Sequence, residues 1–235
     1  MTSLINVGCS GMLFLDIDDT LIDHSGAQRD GARIFGAHCC DAIPDYDYLD
    51  FPSRWHDVAE RYMADFLSGK ISFQEQRRRR LKEIFKDAAM SDTRADELFR
   101  VYLRCYEKSW KLFPDVIPFL EANAGSGVGI ISDGSHEQQT RKLRQLGIHE
   151  YFLFIISAES TGFCKPDPRI FHRACEVAGV TPDSACYIGD NLNKDAIGAS
   201  EAGLRGIWIN RSGAAVPDGV ESIESLLEYM PDTVL

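Results

Sequence analysis

The sequence predicts an α/β fold built on a parallel sheet, with a helical insertion near its start. Three observations carry this: short apolar runs recur along the chain, amphipathic stretches separate them, and more than a hundred residues part the first run from the second. The runs Met12–Leu15, Val128–Ile131, Phe152–Ile156, Ala185–Ile188 and Gly206–Ile209 read as buried parallel strands. Between them, Glu137–Leu146 closes on Gly147, Pro168–Ala178 on Gly179 and Asp195–Ala202 on Gly203, each glycine standing where a helix ends. A single crossover helix cannot fill the first gap, so an insertion starts soon after Leu21. It reads as the helices Arg54–Leu67, Ser72–Ala88 and Thr93–Trp110, the second opened by the capping box Ser72-x-x-Glu75. Pro114 suits the first turn of the helix that follows, and Gly125 to Gly129 form the approach to the second strand. The expected division is a core of residues 1–21 and 113–235 and a helical cap of residues 22–112.

Composition narrows the class. Hydrophobic residues make up 44% and charged residues 26% of the 235, the values of a self-folding globular chain. A net charge of −11 argues against nucleic acid or an anionic membrane as the partner. The seven cysteines include no C-x-x-C pair and are odd in number, which suggests neither a zinc site nor a complete disulfide framework and fits a reducing cytoplasm. The first residues carry no basic leader segment, and the apolar run Met12–Leu15 is too short for a membrane span. No two of the six histidines stand at metal-ligand spacing.

Parallel strands joined by helices bind ligands beyond their carboxyl ends, so chemistry is sought directly after each apolar run. In Leu13-Phe-Leu-Asp16-Ile-Asp18-Asp19-Thr20, two acids two residues apart follow the first strand, and extended geometry would put Asp16 and Asp18 on one side. Such acids can divide labour, one attacking and one handling protons. A calcium loop also begins D-x-D, but here Leu21 stands where it needs glycine and Ala27 where it needs glutamate. A merely solvated acidic turn would not explain the apolar strand that ends on the first acid. After the second strand, Ser132-Asp133-Gly134 offers a hydroxyl and the start of a helix to an anion, although the same residues also make common turns. Pro166 biases Lys165 away from helical geometry between a strand and a helix. In Tyr187-Ile-Gly189-Asp190-Asn-Leu-Asn-Lys-Asp195 a strand again ends on an acid, and hard oxygen ligands there suit magnesium.

Taken in order, D-x-D-x-T at Asp16–Thr20, Ser132, Lys165 before Pro-Asp, and G-D-x-x-x-x-D at Gly189–Asp195 resemble the haloacid-dehalogenase-like superfamily. Leu112-Phe-Pro-Asp-Val, Lys165-Pro-Asp-Pro-Arg-Ile-Phe and Asp195-Ala-Ile-Gly-Ala resemble its branch with a helical cap inserted after the first motif, which includes nucleotidases and sugar-phosphate phosphatases. The resemblance implies a Rossmann-like three-layer core and a magnesium-dependent phosphatase acting on a small phosphorylated metabolite, as monomer or homodimer. It implies that Asp16 is phosphorylated, while Asp18 protonates the leaving oxygen and then deprotonates water. Magnesium would sit on the Asp16 carboxylate, the Asp18 carbonyl and Asp190, with Asp195 reaching it through water or orienting its neighbours, and Thr20 would steady the turn. Ser132, Asp133 and Lys165 would surround the phosphate. Where many members have asparagine, this chain has Asp133, which either turns away to cap its helix, the reading favoured, or weakens phosphate binding.

Dehalogenases and phosphonate-cleaving members of the superfamily lack the second acid of the first motif, so Asp18 points to phosphate esters. A phosphomutase shares both acids, and a binding protein that has lost turnover would keep the fold. In the cap, Arg77-Arg78-Arg79-Arg80 interrupts a helix whose apolar stripe would be Phe73, Leu81, Ile84 and Ala88. Arg77 falls inside that stripe and Arg80 at its edge, while Arg78 and Arg79 would face water. A guanidinium in an apolar face needs either an acidic residue of the cap or an anionic group of the substrate, so Arg77 and Arg80 are candidates for substrate contact.

Overall fold

The computed structural model describes residues 11–125 and 127–229. Cys9 and the first residues, on which the expectation of no leader rests, lie outside this range. The chain divides into two compact units, one formed by residues up to Asp23 together with Leu112 onward, the other by His24–Lys111.

The first unit is a parallel sheet of six strands: β1 (Met12–Leu15), β2 (Val128–Ser132), β3 (Phe152–Ser157), β4 (Ala185–Gly189), β5 (Arg205–Ile209) and β6 (Glu221–Ile223), in the order β3-β2-β1-β4-β5-β6. The sequence reading locates five of them to within a residue or two. It misses β6, whose three residues Glu-Ser-Ile carry no apolar run and owe their extended form to pairing with β5 at the sheet edge. Successive β1 side chains point to opposite faces, so Leu13 and Leu15 join one apolar cluster while Met12 and Phe14 join another. Helices α5 (Val116–Ala122) and α6 (His136–Gln145) contribute to the first cluster and α8 (Pro168–Ala178) to the second, giving three layers. Short helices α7 (Ala158–Thr161) and α9 (Gly198–Glu201) complete the connections. Pro114 precedes α5 instead of opening it, and Pro118 occupies its first turn. The predicted helix Asp195–Ala202 instead begins with a π-helical turn, Leu192–Ile197, that runs into α9. Asn191 caps it by accepting from the amides of Asn193 and Lys194.

The second unit is all helical: α1 (His24–His38), α2 (Phe51–Leu67), α3 (Phe73–Ile84) and α4 (Asp92–Lys108). Helix α1 is absent from the sequence reading, because glycines at positions 26, 31 and 36 lower its helical propensity. Packing explains one of them: a Cβ on Gly31 would stand 2.7 Å from Tyr106 Cα, so α1 meets α4 only if that position is bare. Phe35, Phe51, Trp55 and Tyr102 form the aromatic core, with the Trp55 and Tyr102 rings 4.3 Å apart. None of the described cysteines forms a disulfide. No described helix is long and apolar enough to cross a membrane.

Where the chain leaves the sheet unit and returns to it, Ile22 and Leu112 form an antiparallel bridge and Phe113 N–H donates to the Leu21 carbonyl at 3.0 Å. Below this junction the buried Asp115 takes two bonds from Arg211 (2.9 and 3.1 Å), one from the Ser225 hydroxyl (2.9 Å) and one from the Leu226 amide (2.8 Å). Arg211 also donates to the Thr20 carbonyl at 2.7 Å, so one buried pair ties the loop after β1 to the last described segment. Asp115→Ala, which strands that guanidinium, should therefore cost about 3 kcal/mol. Urea unfolding would check it through a lower midpoint at unchanged slope; a loss below about 1 kcal/mol would mean the pair behaves as a surface ion pair.

Candidate active site

The loop after β1 is held to the sheet before it turns. Asp16 N–H donates to the Ile188 carbonyl at 2.9 Å, extending the ladder by one residue, and the chain then curls so that both Leu21 and Ile22 amides return to the Ile17 carbonyl. Asp19 adopts φ 57°, the left-handed region that aspartate tolerates better than most residues. The loop places Asp16, 5% exposed, and Asp18 in one pocket. Thr20 is fully buried; its carbonyl is the anchor for Arg211, while its hydroxyl has no hydrogen-bond partner among the described residues.

Lys165, also 5% exposed, brings its ammonium to 2.7 Å from an Asp16 oxygen and 2.7 Å from an Asp195 oxygen. It further donates to the Tyr187 hydroxyl at 2.8 Å. Burial alone would strip such a lysine of its proton, but Asp16, Tyr187 and Asp195 around it hold its pKa well above the ordinary value. Burial lifts Asp16 well above the usual carboxylate range; Lys165 opposes this, and Asp195, Asp190 and Asp18 add to it. Tyr187, kept protonated by burial and by Asp195, sits 3.1 Å from both the Ile131 carbonyl and an Asp195 oxygen, which ties β2 and β4 together beneath the site. Asp195 also receives the Asn191 amide at 2.8 Å. A Cβ on Gly189 would fall 2.4 Å from the Asp195 carboxyl carbon, so the glycine is what lets that acid tuck under the end of β4. The Asp190 backbone is pinned by the Trp208 indole, which donates to its carbonyl at 2.7 Å.

At the end of β2, the Ser132 oxygen accepts from Gln139 Nε2 at 2.7 Å and from Gly134 N–H at 3.3 Å. With those bonds received, its own hydrogen is available to an acceptor in the pocket. Asp133 does not cap α6. Ser135 does so, accepting from the Gln138 amide, while Asp133 accepts from the Lys165 backbone amide at 2.8 Å and from the Lys194 ammonium at 3.3 Å. Asp133 thus fixes the lysine segment while still lining the pocket. Sequence reasoning missed four contributors: Tyr187, Asn191, Gln139 and Lys142. Gln139 and Lys142 both bind the Asp18 carboxylate, at 2.9 and 2.5 Å. The signal for these two was present, since they stand on the face of α6 that buries Leu143, where apolar residues are the rule.

These side chains line a pocket of about 210 Å³ formed by Asp16, Asp18, Asp19, Ser132, Lys165 and Asp190 with their neighbours. A larger cleft, about 460 Å³, lies within the helical unit and is lined by Arg29, Arg33, Trp55 and His56, but it holds no paired acids and no buried lysine. The smaller pocket, which gathers the acids and the buried lysine, is therefore the candidate site. Carboxylate oxygens of Asp16, Asp190 and Asp195 lie within 4.8 Å of one another, a hard-donor set that fits magnesium. Both Asp195 oxygens already accept protein donors, which suits it to orienting Lys165 and Asn191.

In the helical unit, α3 stops at Ile84, so Ala88 lies outside it, and Phe73 is 43% exposed instead of part of a buried stripe. Arg78 does not face open water: it pairs with Asp96 at 2.7 Å and Asp92 at 2.8 Å. Arg79 pairs with Glu75 one turn away. Arg77 stacks on Phe73 and Phe99, its guanidinium carbon 4.3 and 4.9 Å from the ring centres. Arg80 is buried, and that burial pushes its pKa down to about 10.

Residues 12–203 match the family model of the haloacid dehalogenase-like hydrolases. The chain is 34% identical over 137 residues to a phosphoserine phosphatase of Thermus thermophilus, covering 57% of this chain and 55% of that protein. It is 41% identical over 103 residues to a glyceraldehyde 3-phosphate phosphatase of Methanopyrus kandleri, 43% and 44% of the two chains. The chain thus spans about half the length of these relatives. Similarity to the pyrimidine 5'-nucleotidase YjjG of Escherichia coli is lower, 25%, but extends over 88% of this chain and 89% of that one. Among solved structures, YfnB of Bacillus subtilis bound to magnesium superposes with a TM-score of 0.75 at 24% identity, covering 93% and 96% of the chains. A 2-haloacid dehalogenase of Pseudomonas syringae gives 0.68 at 30% identity, covering 92% and 94%.

Burial, followed by the charges of Asp195 and Asp19, pushes Asp190 up to about 7 from its ordinary 3.8. Across that window the folded chain keeps a proton that the unfolded chain has released, so the metal-free protein should lose stability as pH rises from about 4 to about 7. A divalent cation held by this acid would take the place of the proton. At a hundredfold excess over its Kd it should raise Tm by roughly 5–10 °C near neutral pH. Calorimetry with EDTA or magnesium, on wild type and Asp190→Asn, would check this; the variant should show a shallower pH slope, the part left being that of Asp16, and a smaller magnesium shift.

Proposed function

The chain belongs to the haloacid dehalogenase-like hydrolases, and from that membership we propose that it is a magnesium-dependent phosphatase of a small phosphate monoester, a nucleotide or sugar phosphate, working through an aspartyl-phosphate on Asp16. The observation that carries this reading is the Asp16–Lys165 pair at 2.7 Å in a pocket shared with a second acid, Asp18, and the Ser132 hydroxyl. Phosphoryl transfer asks for an aligned nucleophile and donors for the equatorial oxygens, and little else.

In the proposed reaction an Asp16 oxygen attacks phosphorus as the bond to the leaving oxygen breaks, and Asp18 gives that oxygen a proton, releasing the alcohol. Water then gives a proton to Asp18 while its oxygen attacks the aspartyl-phosphate, freeing phosphate and restoring the Asp16 carboxylate. Lys165 and the Ser132 hydroxyl donate to the phosphoryl oxygens throughout. Magnesium held by the Asp16 carboxylate, the Asp18 carbonyl and Asp190 would neutralise charge on the transferring group. The relatives named for phosphoserine, glyceraldehyde 3-phosphate and pyrimidine nucleotides support a small monoester as the substrate class. The dehalogenase likeness favours a second reading, halide displacement by Asp16. Asp18 argues against it, because a halide leaves without a proton. Substrate contact by Arg77 or Arg80 belongs to the same proposal, supported by the lack of an acidic ion-pair partner for either among the described residues. Described cysteines that form no disulfide support a cytoplasmic site of action.

A screen of the purified protein against nucleotide and sugar phosphates, with and without magnesium, tests the reading. Phosphate should be released only with the metal; interconversion of sugar phosphates without release would indicate a mutase, and halide release from a 2-haloacid a dehalogenase. Asp16→Asn should lower phosphate release by at least about 10³-fold while the protein stays folded, and near-normal turnover would overturn the covalent role. Asp18→Asn should also be slow, yet with p-nitrophenyl phosphate it should accumulate a phosphoryl adduct visible by mass spectrometry.

A further inference from the structure

Helix α6 buries two polar side chains that the reaction as written does not use. Lys142 is 1% exposed and its ammonium stands 2.5 Å from Asp18 Oδ1. Gln139, also 1% exposed, donates from Nε2 to Asp18 Oδ2 at 2.9 Å and to Ser132 Oγ at 2.7 Å. In this orientation the amide nitrogen, which can only donate, faces two oxygens that can accept. Room for it is provided by Gly134, where a Cβ would lie 2.3 Å from Gln139 Nε2.

Stability alone gives no reason for this arrangement. Burying a lysine is costly even when it is paired, and an apolar residue at the same position would pack on the Leu143 cluster without that cost. The contacts instead fix three atoms that the reaction uses. Lys142 takes one Asp18 oxygen, Gln139 takes the other, and the same Gln139 nitrogen occupies a lone pair of Ser132 and so directs its hydrogen elsewhere.

We propose that Lys142 and Gln139 are positioning residues: together they clamp both oxygens of the acid–base group Asp18 and orient the Ser132 hydroxyl, so that one helix face aligns proton transfer with phosphate binding. This rests on the reading of Asp18 as the group that serves the leaving oxygen. An acid–base group must meet the leaving oxygen and then water, within about half an ångström of the productive position on each occasion. A carboxylate free to rotate meets neither reliably.

The experiment compares Lys142→Met and Gln139→Leu with wild type on p-nitrophenyl, phenyl and benzyl phosphate in saturating magnesium. These leaving groups need progressively more help from a proton. In Lys142→Met, kcat should fall by about 10²-fold on benzyl phosphate and by less than about tenfold on p-nitrophenyl phosphate, with KM changed little. Gln139→Leu should show the same graded loss together with a raised KM for all three esters, because Ser132 is then unguided. Circular dichroism confirms that each variant folds, and either variant alone suffices for the comparison. An equal loss on all three esters, or none, in a folded variant while wild type stays active would overturn the inference and leave the phosphatase reading standing. If wild type with magnesium releases phosphate from none of them nor from the metabolite screen, the phosphatase reading falls and the inference with it.

Discussion

Two carboxylates and one ammonium, all nearly removed from water, meet where Lys165 stands 2.7 Å from both Asp16 and Asp195. None of the three could stay charged there alone, and much of the surrounding structure serves to keep them together. Tyr187 bridges the lysine to the β2 backbone, Gly189 leaves space for Asp195, and Asp133 fixes the amide of Lys165 itself. The sheet order makes this possible, because β2, β1 and β4 lie side by side and end on the same edge. The residues following each strand then converge without long loops.

Charge is balanced unevenly across the site. Lys165 answers Asp16 and Asp195, and Lys142 answers Asp18, but Asp190 is pushed up to about 7 by burial and by its acidic neighbours. A divalent cation would relieve that excess. The same carboxylates therefore supply both the charge and the oxygen donors that a divalent cation would use. The helical unit settles its charges differently: Arg78 and Arg79 pair with acids, while Arg77 lies against aromatic faces.

Residue pattern was enough to set out the strands, the place of the insertion and the acids at strand ends, for physical reasons that are local. A buried parallel strand must be an apolar run, a helix ending at a left-handed residue favours glycine, and a carboxylate directly after such a strand stands at the sheet's carboxyl edge. Asp16, Asp18, Ser132 and Asp190 were legible on those terms, Lys165 only through the Lys-Pro-Asp phrase that carries the resemblance, and all five line one pocket. Tertiary structure decided the rest, because it depends on partners far apart in sequence. Asp133 binds a lysine backbone 32 residues away instead of capping its own helix. Arg78 finds Asp96 on another helix, α1 forms despite its glycines because Tyr106 needs the bare surface of Gly31, and β6 exists only by pairing with β5. Lys142 shows the difference most plainly: sequence places it on an otherwise buried helix face, and only the fold brings Asp18, 124 residues away, to its ammonium.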